Sequence, residues 1–398
     1  MTRKLPPPAW STTAGGAAVL RALDAENGTT RLVGGAVRDA LLDLPVTDVD
    51  LATALSPAEV TKRLEAAGIQ VVPTGIAHGT VTAVTPDLII EVTTLRRDVS
   101  TDGRRATVKY TADWREDAAR RDFTINALYA RLPGGDIDDW FGGLLDLHEG
   151  RVRFIGEPLQ RIAEDHLRIL RFFRFHSRFG RGAPDAEGLA ACAARANDLM
   201  ALSRERIRDE LFRILVLPRA AETLALMLAL GILKPVLPEI VPECVPHLAA
   251  LAGREAAWGV DPDPIRRFAA LLPQREGLGA EFGARLRLSR RDTARLDALG
   301  VADPALPGDP FTAAYFRGVD VARDRLLLLG EDARAAWEAL ADWRKPAMPV
   351  SGKDIIARGI SAGPEVSRRL QRFERDWVAS GCPLDAARID DLLAAALA

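Results

Sequence analysis

The chain is poor in the residues that build covalent or metal-clamped frameworks. Only three cysteines occur in 398 residues. At Cys192, Cys244 and Cys382 they are too scattered, and too odd in number, for a disulfide scaffold or a thiolate zinc site, and a reducing cytoplasm is the expected compartment. Histidine is sparse as well: there are five, the last at His247, so the C-terminal part lacks ligands for a His-Asp phosphohydrolase. No apolar run reaches the ~20 residues of a membrane helix; the longest lies around Leu224 to Leu233. The opening MTRKLPPPAW has no apolar signal core, so no membrane partner is expected. Net charge is only −2, which by itself argues mildly against a partner bound through its phosphates.

What is present points elsewhere. With 48% hydrophobic residues the chain can bury a large core, and its length suggests roughly two to four domains. The segment RLVGGAVRDALLDLPVTDVDLAT joins a short apolar strand (Thr30 to Val33), a glycine pair, an expected helix over Val37 to Leu44, and Asp48-Val49-Asp50. Carboxylates at i and i+2 of a strand project from one face, roughly 6.5–7 Å apart at the backbone. Asp48 and Asp50 can therefore flank a divalent cation, while Gly34 and Gly35 let backbone N–H groups approach a phosphate. Taken singly, Asp-x-Asp is also a solvated strand end and Gly-Gly a tight turn. The third glycine of a dinucleotide fingerprint is missing, and so is the Gly-Lys-Ser/Thr of a P-loop.

Further along, Ser56-Pro57-Ala58-Glu59 reads as a capping box opening a helix to about Ala67. Gly79 to Thr85 and Leu88 to Thr94 read as a hairpin turned at Pro86-Asp87, with Glu91 on its second strand. Two-metal phosphoryl transfer usually asks for three carboxylates, and Glu91 is the candidate third. Arg96 to Ala112 is polar and without periodicity, and reads as a long functional loop. From about Leu159 the pattern becomes helical, rich in Ala, Leu and Arg. Arginines recur at 151, 153, 161, 168, 171, 174, 178 and 181, either a basic face for nucleic acid or a solvated helix face.

Within Glu164 to Arg174, residues three apart are neighbours if the segment is one helix, so Asp165, Arg168, Arg171 and Arg174 would form a stripe. A carboxylate beside a guanidinium complements the amino donor and ring-nitrogen acceptor shared by cytosine and adenine. It opposes the carbonyl and ring N–H of uracil and guanine. The plain alternative is a surface salt bridge.

Gly-Gly-x-Val-Arg-Asp followed by Asp-Val-Asp, with IIEVTTLR, RRDFTINAL and Glu-Asp-x-x-Arg-x-x-Arg in order, resembles the class II CCA-adding enzymes and poly(A) polymerases. The resemblance is continuous from about Arg31 to Leu215 and weaker beyond. It implies an α+β nucleotidyltransferase head with a mixed sheet (1–150), then an all-α neck carrying the nucleobase-selecting helix (151–218), body (219–300) and tRNA-binding tail (301–398). It also implies Asp48, Asp50 and Glu91 as the catalytic carboxylates, Asp48 and Asp50 holding Mg²⁺. Gly35, Arg38 and Arg121 would hold triphosphate and Asp122 the ribose, Asn126 supporting them. Asp165 and Arg168 would read the base, with Arg171 and Arg174 toward phosphate. By the same resemblance Arg96 to Ala112 is a flexible loop for switching from C to A addition, Ser203 to Leu211 buttresses the selecting helix, and Lys353 and Arg358 stand where a tRNA backbone could touch.

The implied activity is template-independent addition of CCA to tRNA from CTP and ATP; no protein partner is inferred. A poly(A) polymerase is the close alternative, though PTGIAHGTVTAV lacks the basic Gly-Arg-Arg-Phe-Arg type segment of those relatives. An RNA-binding protein with an inactive head is the non-enzymatic one.

Overall fold

A computed structural model describes residues 4–76, 79–102, 105–301, 303, 306 and 308–398, the backbone alone at 74, 98–102 and 105–108. The chain forms two compact units, 1–238 and 239–398. No helix among the described residues is long and apolar enough to cross a membrane.

In the first unit β1 (Thr30–Val33), β2 (Val49–Thr53), β3 (Gln70–Gly75), β4 (Thr80–Val84), β5 (Ile89–Thr94), β8 (Tyr129–Arg131) and β9 (Ile137–Asp138) form one mixed sheet in the order β3-β4-β5-β2-β1-β8-β9. β1 is buried along its whole length because it is central, and even its Thr30 hydroxyl is satisfied, donating to the Leu23 carbonyl at 2.7 Å. β2 runs parallel to β5, an arrangement that needs a long crossover. The helix Pro57–Ala66 supplies part of it, burying Val60 and Leu64; as expected, the Ser56 hydroxyl caps it, accepting from the Glu59 N–H at 3.2 Å. The expected hairpin forms as β4 and β5.

Two local expectations are corrected. Arg96 to Ala112 is mostly not a structureless loop: β6 (Arg96–Asp102) and β7 (Arg105–Tyr110) pair antiparallel as a separate two-stranded ribbon. Backbone pairing needs no side-chain alternation, so a polar ribbon leaves little periodic signal. The first helix after the glycines spans Gly35–Leu41, starting and ending earlier than Val37 to Leu44.

Helices follow. Arg168–Phe179 buries Ile169, Leu170, Phe172, Phe173 and Phe175. Phe172 stacks on Phe154 with ring centres 5.6 Å apart, and Phe154 lies 4.9 Å from Phe123. That aromatic cluster presses the helix against the segment after Asp122.

The second unit is helical. One apolar cluster gathers Phe373, Trp377, Ile355 and Leu393. Elsewhere in this unit a buried ionic network links Glu255 to Arg266 and Arg267 (both 2.7 Å), and Asp324 to Arg266 and Arg295 (both 2.8 Å).

Candidate active site

β2 and β5 bring the carboxylates together. Their register places Asp50 directly beside Glu91, and Asp48 lies in the bend just before β2, close enough for its charge to act on Asp50. Asp48 and Glu91 are exposed while Asp50 is half-buried. The Asp50 carboxyl is pushed up to about 6 by burial and by Glu91, with Arg121 opposing and Asp48 adding to the rise. A carboxyl whose pKa is raised first by burial and then by neighbouring carboxylates suits a hard divalent cation, which would stabilise its charged form against both. The residues therefore fit such an ion. Among the described residues no three His, Cys, Asp or Glu side chains already stand in coordinating geometry.

The glycine turn is shaped by its neighbours. Gly34 adopts φ 66°, and a Cβ there would sit 3.0 Å from the Arg121 Nη1. Its N–H donates to the Leu128 carbonyl at 3.0 Å, tying the turn to the strand next to β1. Gly35 opens the helix on which Arg38 is buried. Arg38 donates from Nε to Asp39 at 2.8 Å and from Nη1 to the Asn126 side-chain oxygen, and stacks 4.2 Å over Phe179. Burial pulls its pKa down, against the attraction of Asp39.

Arg121 is held by groups that carry no sequence motif of their own. Its Nε donates to the Tyr129 hydroxyl at 2.9 Å, which in turn donates to the Asp117 carboxylate at 2.6 Å. Burial opposes the Arg121 charge, but Tyr129 and Asp117 more than offset it, and its pKa is raised. Asp117, buried, also accepts from Arg120 Nε at 2.9 Å and from the Arg96 N–H at 3.1 Å. Sequence reasoning passed over Asp117 and Tyr129; the i, i+4 spacing of Asp117 and Arg121 was the available signal for the first.

Asp122 is buried and fully engaged. It accepts from the Phe123 N–H at 2.8 Å, Asn126 Nδ2 at 3.0 Å and Arg171 Nε at 2.7 Å. Burial alone would raise its pKa; Arg171 and these hydrogen bonds outweigh it and hold the carboxyl below the usual range.

The expected stripe is broken at its first member. The helix Pro158–Glu164 ends before Asp165, whose backbone is extended (φ −152°, ψ 105°), and the next helix begins at Arg168. The Asp165 carboxylate accepts from the Leu167 N–H at 3.1 Å, a local turn that competes with continued helix. Both of its oxygens also accept from Arg206 Nη2, Oδ1 at 3.0 Å and Oδ2 at 2.8 Å. Arg168 points elsewhere: Nη1 donates to Glu164 at 2.7 Å and to the Arg161 carbonyl at 2.8 Å, and Nη2 to the Arg120 carbonyl at 3.1 Å. Arg174 pairs with Glu210 at 2.6 Å. Arg206 and Glu210 lie in the segment read only as a buttress, and each grips a stripe residue.

The arginine-rich stretch is thus no bare basic face. Arg151, Arg153, Arg161, Arg168, Arg171, Arg174 and Arg178 all have carboxylate partners, some within one segment and others, such as Asp122 for Arg171 and Glu210 for Arg174, far along the chain. In the second unit Arg358 is paired with Asp390 at 2.6 Å.

Comparison with known proteins matches two families: Poly A polymerase head domain over residues 30–153, and Probable RNA and SrmB- binding site of polymerase A over 184–244. The chain is 35% identical to the mitochondrial CCA tRNA nucleotidyltransferase 1 of Mus musculus over 382 residues, covering 92% of this chain and 86% of that protein. It is 30% identical to a CCA-adding enzyme of Levilactobacillus brevis, covering 92% and 93%. Among solved structures, the Bacillus stearothermophilus CCA-adding enzyme in complex with CTP superposes with a TM-score of 0.74 at 27% identity, covering 93% of this chain and 94% of that one.

Proposed function

The chain belongs to the CCA tRNA nucleotidyltransferase family, and from that premise we propose how its residues add CCA to the 3′ end of tRNA from CTP and ATP. The protein is a nucleotidyltransferase; its partners are tRNA and the two nucleotides.

In our reading Asp48 and Asp50 would hold Mg²⁺, with Glu91 alongside. Bound there, the ion supplies a lowered pKa at the tRNA 3′-hydroxyl and neutralises charge on the departing pyrophosphate. Gly35, Arg38 and Arg121 hold the triphosphate; Arg121 is kept charged and oriented by Tyr129 and Asp117. Asp122, fixed by Arg171 and Asn126, meets the ribose. Most of the catalysis is positioning and charge neutralisation.

The observation that carries base selection is the junction between the two helices. Asp165 presents a half-exposed carboxylate for the exocyclic amino group, once Arg206 yields one oxygen. Arg168 spends three of the five N–H donors of a guanidinium on part-buried acceptors, which fix its plane and leave Nε–H and one Nη2–H for the ring nitrogen. A uracil or guanine edge would leave those groups unpaired, at roughly 1–3 kcal/mol each.

We keep the division into head (1–150), neck (151–218), body (219–300) and tail (301–398), with Arg174 toward phosphate and oriented by its pairing with Glu210. The three cysteines are free, which supports a reducing compartment, the cytoplasm.

The test is extension of a tRNA transcript ending before CCA, offered each nucleotide singly and together. The wild type adds C residues with CTP and completes CCA with both. Asp48→Ala abolishes addition, and the Asp165→Ala/Arg168→Ala pair relaxes nucleotide choice. Long tails with ATP alone would show a poly(A) polymerase instead.

A further inference from the structure

Two consecutive residues of one helix meet two consecutive residues of another. Arg38 and Asp39 stand on the helix Gly35–Leu41, directly after the glycine turn, and Arg178 and Phe179 close the helix Arg168–Phe179. The pairs are crossed. The Arg38 guanidinium carbon lies 4.2 Å from the centre of the Phe179 ring, and Arg178 Nη2 lies 3.6 Å from Asp39 Oδ2. The other Asp39 oxygen, Oδ1, takes Arg38 itself, at 2.8 Å from Nε and 2.7 Å from Nη2.

These contacts do different work on Arg38. Asp39 and the Asn126 side-chain oxygen hold the guanidinium along its edges, and because such hydrogen bonds lie in its plane they leave its faces unsupported. Water cannot take that place, since the Arg38 side chain is only 7% exposed. A desolvated guanidinium gains most from an aromatic face, and Phe179 supplies one. The ring is itself held: Phe175, one helical turn earlier, lies nearly parallel to it with centres 5.8 Å apart. Gly180 then ends the helix, its N–H donating to the His176 carbonyl at 2.8 Å. On its other side Arg38 reaches the glycine turn, where a Cβ on Gly35 would stand 3.5 Å from Nη2. A tilt of the guanidinium would therefore move the donor that lies nearest the backbone expected to receive phosphate.

We propose that Phe179 is a positioning residue for nucleotide binding: its π-face sets the tilt of Arg38 and so aims that guanidinium at the triphosphate. The inference rests on the role given above to Arg38. One helix would then serve both ends of the nucleotide, its first residue Arg168 at the base and its last, Phe179, behind the phosphates.

Steady-state addition of C to a tRNA ending before CCA, and of A to one ending in CC, tests this with the full-length protein. Phe179→Leu keeps an apolar side chain and loses the π-face; it raises the KM for CTP and ATP about three- to tenfold, with kcat and tRNA affinity held. Phe179→Tyr, which keeps a π-face, recovers most of the loss. Phenylalanine carrying one, two or three ring fluorines at position 179 keeps its shape while its face becomes less negative, and the KM rises in steps. In an Arg38→Gln background none of these changes adds to the KM, because the cation is gone. An unchanged KM in Phe179→Leu, or a rise that ignores fluorination, makes Phe179 a packing residue only and overturns the proposal, as does an effect that persists undiminished with Arg38→Gln. Should Phe179→Leu fail to fold, the fluorinated rings decide alone. If Arg38→Gln itself leaves the nucleotide KM at the wild-type value, the triphosphate role of Arg38 falls and the proposal with it; if Arg38→Gln raises KM and the ring variants do not, only the role of Phe179 falls.

Discussion

Arg171 grips Asp122 across 49 residues of sequence, its Nε 2.7 Å from the carboxylate. One end of the contact belongs to the segment proposed to meet the ribose, the other to the helix proposed to follow the base. Removing the guanidinium leaves a buried carboxylate unpaired. Arg171→Ala should therefore lower stability by about 2–3 kcal/mol and reduce turnover far more than the control Arg213→Ala, made at an arginine whose side chain is exposed. Chemical denaturation and single-nucleotide addition rates read both; an Arg171→Ala protein with wild-type values would remove Arg171 from the site.

Gly34 needs its glycine twice, for φ 66° and for the Arg121 Nη1 that a Cβ would approach to 3.0 Å. Gly34→Ala should cost roughly 1–3 kcal/mol and raise the KM for CTP by displacing Arg121. Equal KM values would show that Arg121 does not hold the triphosphate.

Asp117 joins Tyr129, Arg120, Arg121 and the Arg96 N–H. Asp117→Asn keeps its shape and loses its charge, so the nucleotide KM should rise while tRNA affinity holds. Tyr129→Phe removes two hydrogen bonds, the one accepted from Arg121 Nε and the one donated to Asp117, but leaves both charges in place, and should cost about 1–3 kcal/mol in stability. The reverse ranking of the two variants would contradict this chain of contacts.

Arg206 pairs with Asp165 where both side chains are about one-third exposed, 36% and 30%. Such a pair contributes at most about 1 kcal/mol, and Arg206→Ala should barely alter melting. It should instead change the ratio of CTP to UTP incorporation, because only the Leu167 N–H then aims the Asp165 carboxylate. A lower melting temperature with unchanged selectivity would mark Arg206 as structural only.

Asp50 titrates near 3.8 when unconstrained and near 6 in the fold. Between those values the folded protein keeps a proton that the unfolded chain has released. Ionisation of Asp50 therefore penalises the native state increasingly over that window and by a constant amount above it, up to about 3 kcal/mol. Without divalent cation, Asp50→Asn should be more stable than wild type at pH 7.5, the gap closing as pH falls from 6 to 4. Added Mg²⁺ should shrink the gap at pH 7.5, since only the wild type gains the ligand. A gap that is absent, or that widens in acid, would contradict the clustering of Asp50 with Glu91.

Much of this protein is written in short-range chemistry. A short run ending in Leu and Val favours a strand, alternation marks a hairpin, and a serine before proline caps a helix, so β1, the β4–β5 hairpin and the helix after Ser56 are all readable from residues a few positions apart. The family resemblance rests on the same local runs.

Tertiary structure alone decided which charge meets which. Arginines are long and interchangeable in a linear pattern, and the choice of Glu210 for Arg174 or Asp122 for Arg171 depends on how two distant helices and a turn come to lie side by side. Asp165 shows the limit most clearly: the spacing of Glu164 to Arg174 suits one helix, yet a hydrogen bond from the Leu167 N–H and the grip of Arg206 make an extended residue there the better solution. The sequence supplied the groups; only packing chose their partners, because burial makes an unpaired charge too costly to leave to chance.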